Sequence, residues 1–434
     1  MNRKVLYISY DGMTDPLGQS QVLPYLAGLS KLGYEFTLLS FEKKDRYEKS
    51  GDLIRQICEA NNISWVPQFF TSRPPILSKL YDGWKMKKAA RQLHAERQFS
   101  FIHCRSYVAA AAGLAIKKSA GLPFLFDMRG FWVDERVDNG QWNLKNPFFA
   151  FAYQRYKKKE KKYFDHAAHI VSLTETGKQE LINRYKVPAE KISVIPCCAD
   201  LSHFDYNRAN TAEKEKVRAE LGIENEDKIL TYLGSLGGWY LTDEMLSFFA
   251  CLKKREPHAR FLFITHDKRE AIVALAAEKG IAEKDIIVRP ASRQEVPVLL
   301  GLSSWSIFFI KDAYSKKASS PTKQGEIMAM GIPLVCNDIG DTGRIVKDTS
   351  TGIVISQFNK DAFEDAVSQI GQLEQIDKAH IREAAFKYYD LDRGVSVYLA
   401  LYKMMTAGGY FFWLHTLRKN PRRNDTGLSI TSKR

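Results

Sequence analysis

One short segment combines a hydroxyl, an ammonium and a carboxylate at the start of a predicted helix. Pro321 favours the first position of a helix, and Gly331 ends that helix before the next strand. Thr322, Lys323 and Glu326 therefore fall in its first turns. Hydroxyls, unpaired N–H groups and an ammonium there can hold a diphosphate, and a carboxylate one turn later can accept both hydroxyls of a ribose. A capped helix whose glutamate complements the helix dipole explains the same residues, so both interpretations stay open at this point.

A second candidate loop follows the first predicted strand, Val5 to Ser9, and contains Gly18 immediately before a helix. Phosphate groups bind at helix N-termini, and glycine permits a close approach of the backbone. Gln19 follows Gly18 at the same helix start. Because many strand-to-helix turns contain glycine for geometry alone, the loop by itself is a weak indication of phosphate binding.

Asp127 and Arg129 follow directly after the fourth predicted strand, which ends at Phe126. Parallel sheets present their site residues at the carboxyl ends of strands. A guanidinium is planar, permanently charged and bidentate, so Arg129 can bind a sugar carboxylate, an acceptor phosphate or a donor diphosphate. The alternative is a structural ion pair of Arg129 with Asp134 or Glu135.

Short apolar runs recur along the chain in two series, each separated by segments long enough for helices. This alternation predicts two parallel-sheet α/β units in tandem, with a cleft between them where strand ends meet. The predicted strands are Val5–Ser9, Tyr34–Ser40, Phe101–His103, Pro123–Phe126, His169–Leu173 and Ile192–Pro196, then Lys228–Gly234, Arg260–Ile264, Asp285–Val288, Trp305–Phe309 and Ile332–Cys336.

Length and composition indicate a globular protein of two or three domains. The chain has 434 residues, of which 45% are hydrophobic and 26% charged, so collagen-like and wholly disordered classes are excluded. The formal net charge of +14 divides into +11 for residues 1–200, −3 for residues 201–400 and +6 for the remainder. This asymmetry predicts that the first half and the tail face an anionic partner. Six cysteines without paired metal spacing, and no signal peptide or membrane span, predict a cytoplasmic protein.

Three segments combine lysine or arginine with aromatic residues: 79–88, 147–162 and the tail from Tyr410. Such helices can lie on anionic lipid, although an ordinary amphipathic helix with a solvated lysine face explains each of the first two alone at least as well. The tail is predicted to be either a surface anchor or a disordered extension. A nucleic-acid-binding protein is the competing class, because positive charge with interleaved aromatics also suits RNA. No recognised nucleic-acid-binding motif accompanies it, so the sequence favours a peripheral membrane location without nucleic acid.

The first segment resembles the donor-binding signature of the retaining glycosyltransferases of family 4, or group 1. The signature reads Ser320-Pro321-Thr322-Lys323-x-x-Glu326-x-x-Ala329-x-Gly331-x-Pro333-Leu334-Val335. Four further similar features are the Gly18 loop, Ser172-Leu173-Thr174-Glu175, Val194 to Asp200 and Tyr232-Leu233-Gly234-Ser235-Leu236. They cover the chain from about residue 4 to 400.

The resemblance implies an α/β fold of the GT-B class, with two Rossmann-like domains facing across a cleft. Residues 1–198 would bind the acceptor, residues 199–392 would bind a nucleotide-sugar, and residues 393–434 would form a helix crossing back to the first domain and a basic tail. It implies that Glu326 binds the donor ribose and that Arg289 lies where the base is received. The remaining donor residues are Gly18, Gln19, Gly234, Ser235, Ser320, Thr322 and Lys323. No metal or resident cofactor is implied.

The chain also departs from the family pattern. Ala318 stands where the first of two family glutamates is expected, and Ser235 stands in a loop that usually carries cationic phosphate ligands. Lys323 is the best local substitute for those cations. Arg129 stands at the position of a family histidine, and with Asp127 and Glu326 it forms the predicted catalytic set.

These features together predict a metal-independent, hexosyltransferase-type retaining enzyme that moves a sugar from UDP or GDP to a cell-surface glycan acceptor. The acceptor is expected to be lipid-linked, and the enzyme to lie on the inner face of the cell membrane. The alternatives are a basic nucleic-acid-binding protein and a non-catalytic homologue of the GT-B class.

Overall fold

The computed structural model describes residues 2–71, 73–208 and 211–407. Its strands all belong to two sheets in which every pair of neighbours is parallel. The strands are β1 Lys4–Ser9, β2 Glu35–Glu42, β3 Ile63–Phe69, β4 Phe101–Arg105, β5 Phe124–Asp127, β6 His169–Ser172, β7 Ile192–Val194, β8 Lys228–Leu233, β9 Ala259–Ile264, β10 Ile286–Arg289, β11 Trp305–Phe308, β12 Leu334–Asn337 and β13 Gly352–Ile355.

Each sheet is covered by helices, because its strands are apolar on both faces and must be buried from water on both. The helices are α1 Pro16–Gln21, α2 Leu23–Lys31, α3 Lys44–Ala60, α4 Pro75–Arg97, α5 Ser106–Ala120, α6 Trp132–Asp138, α7 Pro147–His166, α8 Glu175–Tyr185, α9 Thr211–Glu220, α10 Thr242–Arg255, α11 Arg269–Glu278, α12 Val296–Leu300, α13 Thr322–Ala329, α14 Thr342–Thr349, α15 Lys360–Ser368, α16 Ile370–Leu373, α17 Lys378–Tyr389 and α18 Leu391–Thr406. Three short 3₁₀ helices span Ala189–Lys191, Glu283–Asp285 and Tyr314–Ala318.

The first sheet has the order β3-β2-β1-β4-β5-β6-β7, and the second has the order β10-β9-β8-β11-β12-β13. In both, the strand order reverses direction beside the first strand of the unit, which creates a crevice at the carboxyl ends. The prediction of two Rossmann-like α/β domains is confirmed. The first sheet ends at Val194 and the second begins at Lys228, while the predicted domain boundaries at 198 and 392 stay predictions.

Two edge strands are absent from the sequence-based prediction. β3 contains Pro67, which argues against a central strand but is tolerated at an edge where no further ladder is needed. β13 begins with Gly352, and three of its four residues are only partly buried. The single helix predicted to follow Gly18 is instead two helices, because α1 ends at Gln21 and Pro24 stands in the first turn of α2. Gly18 lies within α1 and not before it, because α1 already begins at Pro16.

The last described helix returns to the first domain, as predicted. Val395, Tyr398 and Tyr402 of α18 are buried in the same apolar cluster as residues of β1, β2 and α2. The Tyr402 hydroxyl lies 2.7 Å from Nδ1 of His103 on β4. The aromatic and basic tail predicted from Tyr410 onward lies outside the described residues.

The two domains also touch through a short segment before α13. The 3₁₀ helix Tyr314–Ala318 packs against α6 and α8 of the first domain. Lys316 Nζ lies 2.9 Å from a Glu135 carboxylate oxygen, and the Tyr314 ring stacks on Phe131 with centroids 5.1 Å apart. The Asp341 carboxylate accepts hydrogen bonds from the N–H groups at the start of α8. These contacts fix the start of α13 at the junction of the domains.

Among the helices of the described residues, none is long and apolar enough to cross a membrane.

Candidate active site at the domain junction

The helix that carries the predicted donor residues begins where the sequence indicates, within one position. Pro321 is the N-cap, with extended backbone, and Thr322 is the first helical residue of α13. Gly331 adopts a φ of +65°, a conformation that favours glycine and ends the segment. A Cβ on Gly325 would lie 2.6 Å from Cβ of Tyr389, so this glycine allows α17 to pack closely on α13.

The Lys323 side chain enters an aromatic enclosure formed by the second domain. Its Nζ lies 3.6 Å from the ring centroid of Tyr240 and 4.2 Å from that of Tyr232. It donates a hydrogen bond of 3.1 Å to the Tyr232 hydroxyl, which in turn donates to the Ser235 carbonyl. A Cβ on Gly234 would lie 3.0 Å from this Nζ. The loop after β8 therefore covers the ammonium closely, and Gly234 has a φ of +110°, a conformation that favours glycine.

Burial shifts the pKa values of both ionisable groups on this helix. Desolvation lowers the pKa of Lys323 to about 7, against a smaller opposing effect of Glu326. Desolvation also raises the pKa of Glu326, against the opposing charges of Arg293 and Lys323. An anion bound beside Lys323 would favour its protonated form, so the pair is suited to respond to a diphosphate.

Glu326 faces the loop that follows β10. Its Oε1 lies 3.7 Å from a guanidinium nitrogen of Arg293, while the Arg289 guanidinium is 3.4 Å from Glu295 in the same loop. Glu326 is not enclosed in an internal ion pair, because the Arg293 side chain is 47% exposed. The loop predicted to receive the base thus lies beside the helix predicted to hold the ribose.

Ser320 and Arg129 both contact Cys197, which lies in the segment between the two sheets. The Ser320 hydroxyl accepts a hydrogen bond of 3.2 Å from the N–H of Cys197, and an Arg129 guanidinium nitrogen lies 3.2 Å from the Cys197 sulfur. The same guanidinium nitrogen is 3.4 Å from Gln21 on α1. Arg129 has a φ of +61°, which is uncommon for a residue other than glycine. Side chains from both domains therefore converge here.

The Gly18 loop is held by a buried carboxylate. Glu42 is fully buried and accepts hydrogen bonds from the N–H groups of Met13 and Thr14. A Cβ on Gly18 would lie 2.3 Å from the carbonyl oxygen of Gly12. The structure therefore gives Gly18 a packing requirement, and its predicted contact with phosphate stays a prediction.

Gln19, the neighbour of Gly18, is exposed, and its amide is 3.4 Å from the Thr14 carbonyl. On the same helix, Gln21 donates a hydrogen bond of 3.0 Å to the Cys198 carbonyl. α1 is therefore tied to the segment that Ser320 also contacts.

Asp127 occupies a different position from the one its predicted catalytic role suggests. It is 1% exposed, and its carboxylate lies 3.6 Å from His103, 3.9 Å from Arg105 and 3.8 Å from Arg129. Burial raises the pKa of Asp127, but Arg129, His103 and Arg105 outweigh it and the net shift is downward. Tyr398 of α18 lies beside this cluster. The catalytic role stays a prediction, and the geometry favours a structural one.

Ala318, the position at which the family resemblance leads us to expect a glutamate, is fully buried between the domains. A Cβ on Gly177 of α8 would lie 2.9 Å from the Ala318 methyl carbon. The position is filled by packing and leaves little space for a carboxylate in this arrangement of the domains.

The structure brings most of the predicted donor residues to the junction: Ser320, Thr322, Lys323, Glu326, Gly234, Ser235 and Arg289 lie on or beside α13. Sequence reasoning missed Tyr240 and Arg293, and neither belongs to a recognisable motif. The sequence offered one indication for Arg293, namely that it is a cationic residue in the loop after a predicted strand, where site residues of parallel sheets lie. Among the residues that the structure describes, no group of three His, Cys, Asp or Glu side chains is arranged to hold a metal ion.

Two facing parallel-sheet domains, joined where a helix presents its N-terminus, form the architecture of GT-B glycosyltransferases. Two family models match the chain: Glycosyltransferase Family 4 over residues 19–203 and Glycosyl transferases group 1 over residues 213–388. The chain belongs to the family 4, or group 1, glycosyltransferases, as the signature predicted.

Curated relatives are distant. A D-inositol 3-phosphate glycosyltransferase of Nocardia farcinica is 23% identical over 52% of this chain and 50% of its own length. An alpha-D-kanosaminyltransferase of Streptomyces kanamyceticus is 22% identical over 50% of this chain and 53% of its own length. The chain thus matches about half the length of these relatives, and their substrates are not carried over.

Solved structures share the fold over nearly the whole described chain. A glycosyltransferase from Rickettsia africae superposes with a TM-score of 0.69, covering 93% of this chain and 98% of its own, at 16% identity. HepE of Anabaena in complex with UDP-glucose superposes with a TM-score of 0.66, covering 92% of this chain and 99% of its own, at 14% identity. WaaG, a glycosyltransferase involved in lipopolysaccharide biosynthesis, superposes with a TM-score of 0.64, covering 93% of this chain and 100% of its own, at 15% identity.

Proposed function

We propose that this glycosyltransferase is a retaining, metal-independent hexosyltransferase that uses a UDP- or GDP-sugar. The observation that carries the proposal is the Lys323 ammonium, buried in its aromatic enclosure one turn before Glu326. The complex of a structural relative with UDP-glucose supports a nucleotide-sugar donor. Lys323, Thr322 and the start of α13 would neutralise the departing diphosphate, which is the electrostatic task that the transfer requires.

The chain's residues suggest a division of labour in the reaction. Glu326 would accept the ribose hydroxyls, and the loop at Arg289 would receive the base. Ser320 and Arg129, which both contact Cys197, would come close to the reacting groups at the junction of the domains. Closure of the domains would exclude water and align donor with acceptor. We name no catalytic base.

Glu326→Ala should abolish donor binding without unfolding the protein. At a hundredfold excess of ligand over its Kd, binding stabilises the folded state by about 2.7 kcal/mol, which a thermal shift with UDP or GDP detects. We expect the shift to vanish in Glu326→Ala and to persist in the surface control Glu364→Ala. Absence of a shift in the unaltered protein with every nucleoside diphosphate would contradict the proposed function.

A panel of nucleotide-sugars tests the chemistry itself. We expect slow hydrolysis of one UDP- or GDP-sugar in the absence of acceptor, with the anomeric configuration of the released sugar retained and the rate unaffected by a chelator. An inverted product would remove the retaining assignment. No turnover, despite a thermal shift, would favour a non-catalytic homologue.

The proposed acceptor is a lipid-linked cell-surface glycan, which requires the enzyme to lie peripherally on the inner face of the cell membrane. Support comes from large apolar side chains that the fold leaves in water. Leu80 and Trp84 at the start of α4, and Phe148 and Phe151 at the start of α7, are each more than half exposed. Isolated exposed apolar residues are ordinary, but a cluster is typical of interaction sites.

The helices α4 and α7 lie on one side of the first domain. Both α4 and α7 pack on α5, and Lys87 of α4 is close enough to Lys159 of α7 to help lower its pKa, although burial is the larger cause. Lysines and aromatic residues therefore share a surface of the kind that binds anionic lipid. We call the surface formed by residues 77–88 of α4 and 148–159 of α7 the α4–α7 surface.

Trp84→Ser combined with Phe151→Ser should reduce sedimentation with anionic phosphatidylglycerol vesicles by about tenfold, because two aromatic side chains lose their burial in the headgroup region. Phe386→Ser on α17 of the second domain, which is also exposed, is the matched control. Binding of the unaltered protein should fall in 0.5 M salt and with neutral phosphatidylcholine vesicles. Equal sedimentation of the double variant and the control would contradict a role for the α4–α7 surface.

A further inference from the structure

Arg293 occupies the loop between β10 and α12, and this loop is anchored to the segment that follows Cys198. The Arg293 carbonyl is 2.9 Å from Nε2 of His203, and its guanidinium lies over the Phe204 ring at 5.6 Å from the centroid. The backbone of Arg293 is therefore fixed while its side chain reaches toward α13.

The Arg293 guanidinium approaches Glu326 from the solvent side. Its nitrogen lies 3.7 Å from Glu326 Oε1, and the two side chains are 47% and 14% exposed. Lys323, on the same helix as Glu326, is the other cation that acts on this carboxylate, and Asp200 is a carboxylate that Arg293 also influences. Glu326 thus lies between one buried amine and one accessible guanidinium.

The protonation state of Glu326 decides what it can do for a ribose. An ionised carboxylate can accept hydrogen bonds from both ribose hydroxyls. A protonated carboxyl group carries an O–H donor on one oxygen and is therefore a poorer acceptor for the two hydroxyls. Burial favours the protonated form of Glu326. Arg293 opposes this effect, and its guanidinium can also orient the carboxylate. Removal of Arg293 should therefore weaken ribose contacts and leave phosphate contacts intact.

We propose that Arg293 is a positioning residue that holds the Glu326 carboxylate ready for the ribose of the donor, and so makes donor affinity depend on that ribose. The inference rests on the proposed function, since it requires a nucleoside diphosphate at α13. It assigns to Arg293 no contact with the reacting atoms.

Calorimetric titration with two probes separates the ribose from the phosphates. The probes are the nucleoside diphosphate, UDP or GDP, that the unaltered protein binds more tightly, and inorganic pyrophosphate. We expect Arg293→Ala to weaken nucleoside diphosphate binding about tenfold, which corresponds to about 1.4 kcal/mol, and to change pyrophosphate binding less than twofold. Arg293→Lys should restore part of the lost affinity, because it returns the charge without the planar fork.

A double-mutant cycle supplies the readout that a merely structural role would not affect. In a Glu326→Gln background, Arg293→Ala should cost no further affinity, because the neutral amide has no ionisation to maintain. Arg269→Ala is the matched control, since Arg269 is 46% exposed and also pairs with one glutamate, Glu283. We expect this control to bind both probes as the unaltered protein does.

Three results would overturn the inference: unchanged nucleoside diphosphate affinity in Arg293→Ala, an equal loss for pyrophosphate, or a full further loss in the Glu326→Gln background. If the unaltered protein binds neither UDP nor GDP, the proposed function fails and this inference fails with it. Binding by the unaltered protein with no effect of Arg293→Ala removes the inference alone.

Discussion

Lys323→Met should lower the affinity for a nucleoside diphosphate about a hundredfold. The substitution keeps the length and apolar character of the side chain, so the enclosure of Tyr232 and Tyr240 stays filled, but it removes the charge at the start of α13. Charge-assisted hydrogen bonds contribute about 1.5–3 kcal/mol each, and the lost interaction is at the upper end because the site is buried. Titration of UDP or GDP measures the loss, with surface Lys360→Met as the control.

The pKa of Lys323 near 7 gives this prediction a pH dependence. The bound diphosphate requires the protonated amine, so above pH 7 binding takes up a proton and affinity falls up to tenfold per pH unit; below pH 7 this dependence disappears. Calorimetry at pH 8 in buffers of different ionisation enthalpy should detect the proton, and Lys323→Met should not show it. Equal heats in all buffers for the unaltered protein would contradict the assignment.

The same substitution should stabilise the unliganded protein. The unfolded chain holds Lys323 at an ordinary pKa of 10.5, whereas the folded state lowers it. The cost of burying the charge is therefore present in full below pH 7 and is relieved as pH rises from 7 to 10.5. Lys323→Met removes that cost, so its melting temperature at pH 6 should exceed that of the unaltered protein. A gain in stability with a loss of binding is typical of a functional buried charge.

Asp127→Asn should destabilise the protein by about 3–5 kcal/mol, because it leaves two buried guanidinium groups without their common carboxylate. Arg105 and Arg129 approach Asp127 from β4 and from the loop after β5, beneath α18. Chemical denaturation at pH 7 measures the change, and surface Asp348→Asn is the control. Because the pKa of Asp127 is below 3.8, its stabilisation of the unaltered protein is present above that pH and is lost as pH falls through the folded-state pKa.

The contrary outcome for Asp127 is equally definite. Surface substitutions usually change the free energy of unfolding by less than about 0.5 kcal/mol. If the free energy of unfolding of Asp127→Asn differs from that of the unaltered protein by no more than this, Asp127 does not stabilise the fold. Loss of transfer activity in such a stable variant would then support the predicted catalytic role on the acceptor side.

The local sequence explains why the central strands of both sheets were predictable. The strands β1, β5, β8, β9 and β11 are mostly buried on both faces, so they appear as largely apolar runs. The edge strands β3 and β13 lack this signal: β3 contains Pro67, and β13 begins with Gly352 and has three of its four residues only partly buried. Their pairing depends on the neighbouring strand and not on their own sequences.

The same distinction applies to the site. Pro321, Thr322, Lys323 and Glu326 are neighbours in sequence, and a helix start brings them together without help from the rest of the chain. Arg293 and Tyr240 lie far from them in sequence, so their contacts with Glu326 and Lys323 appear only when the loops after β8 and β10 pack beside α13. Gly18 shows that a local pattern can have a second explanation. The sequence indicates a phosphate-binding glycine, but the packed structure requires glycine there because a Cβ would lie 2.3 Å from the carbonyl oxygen of Gly12.

By itself, the sequence determined the two parallel α/β units, the family, and the helix start that carries the donor signature, because periodic apolar runs and short motifs are local properties. Only the tertiary structure decided the lowered pKa of Lys323, the partner of Glu326, the burial of Asp127 and the exposure of the α4–α7 surface. Each of these depends on which distant residues exclude water from a group, and desolvation is a property of the packed molecule that no local pattern encodes.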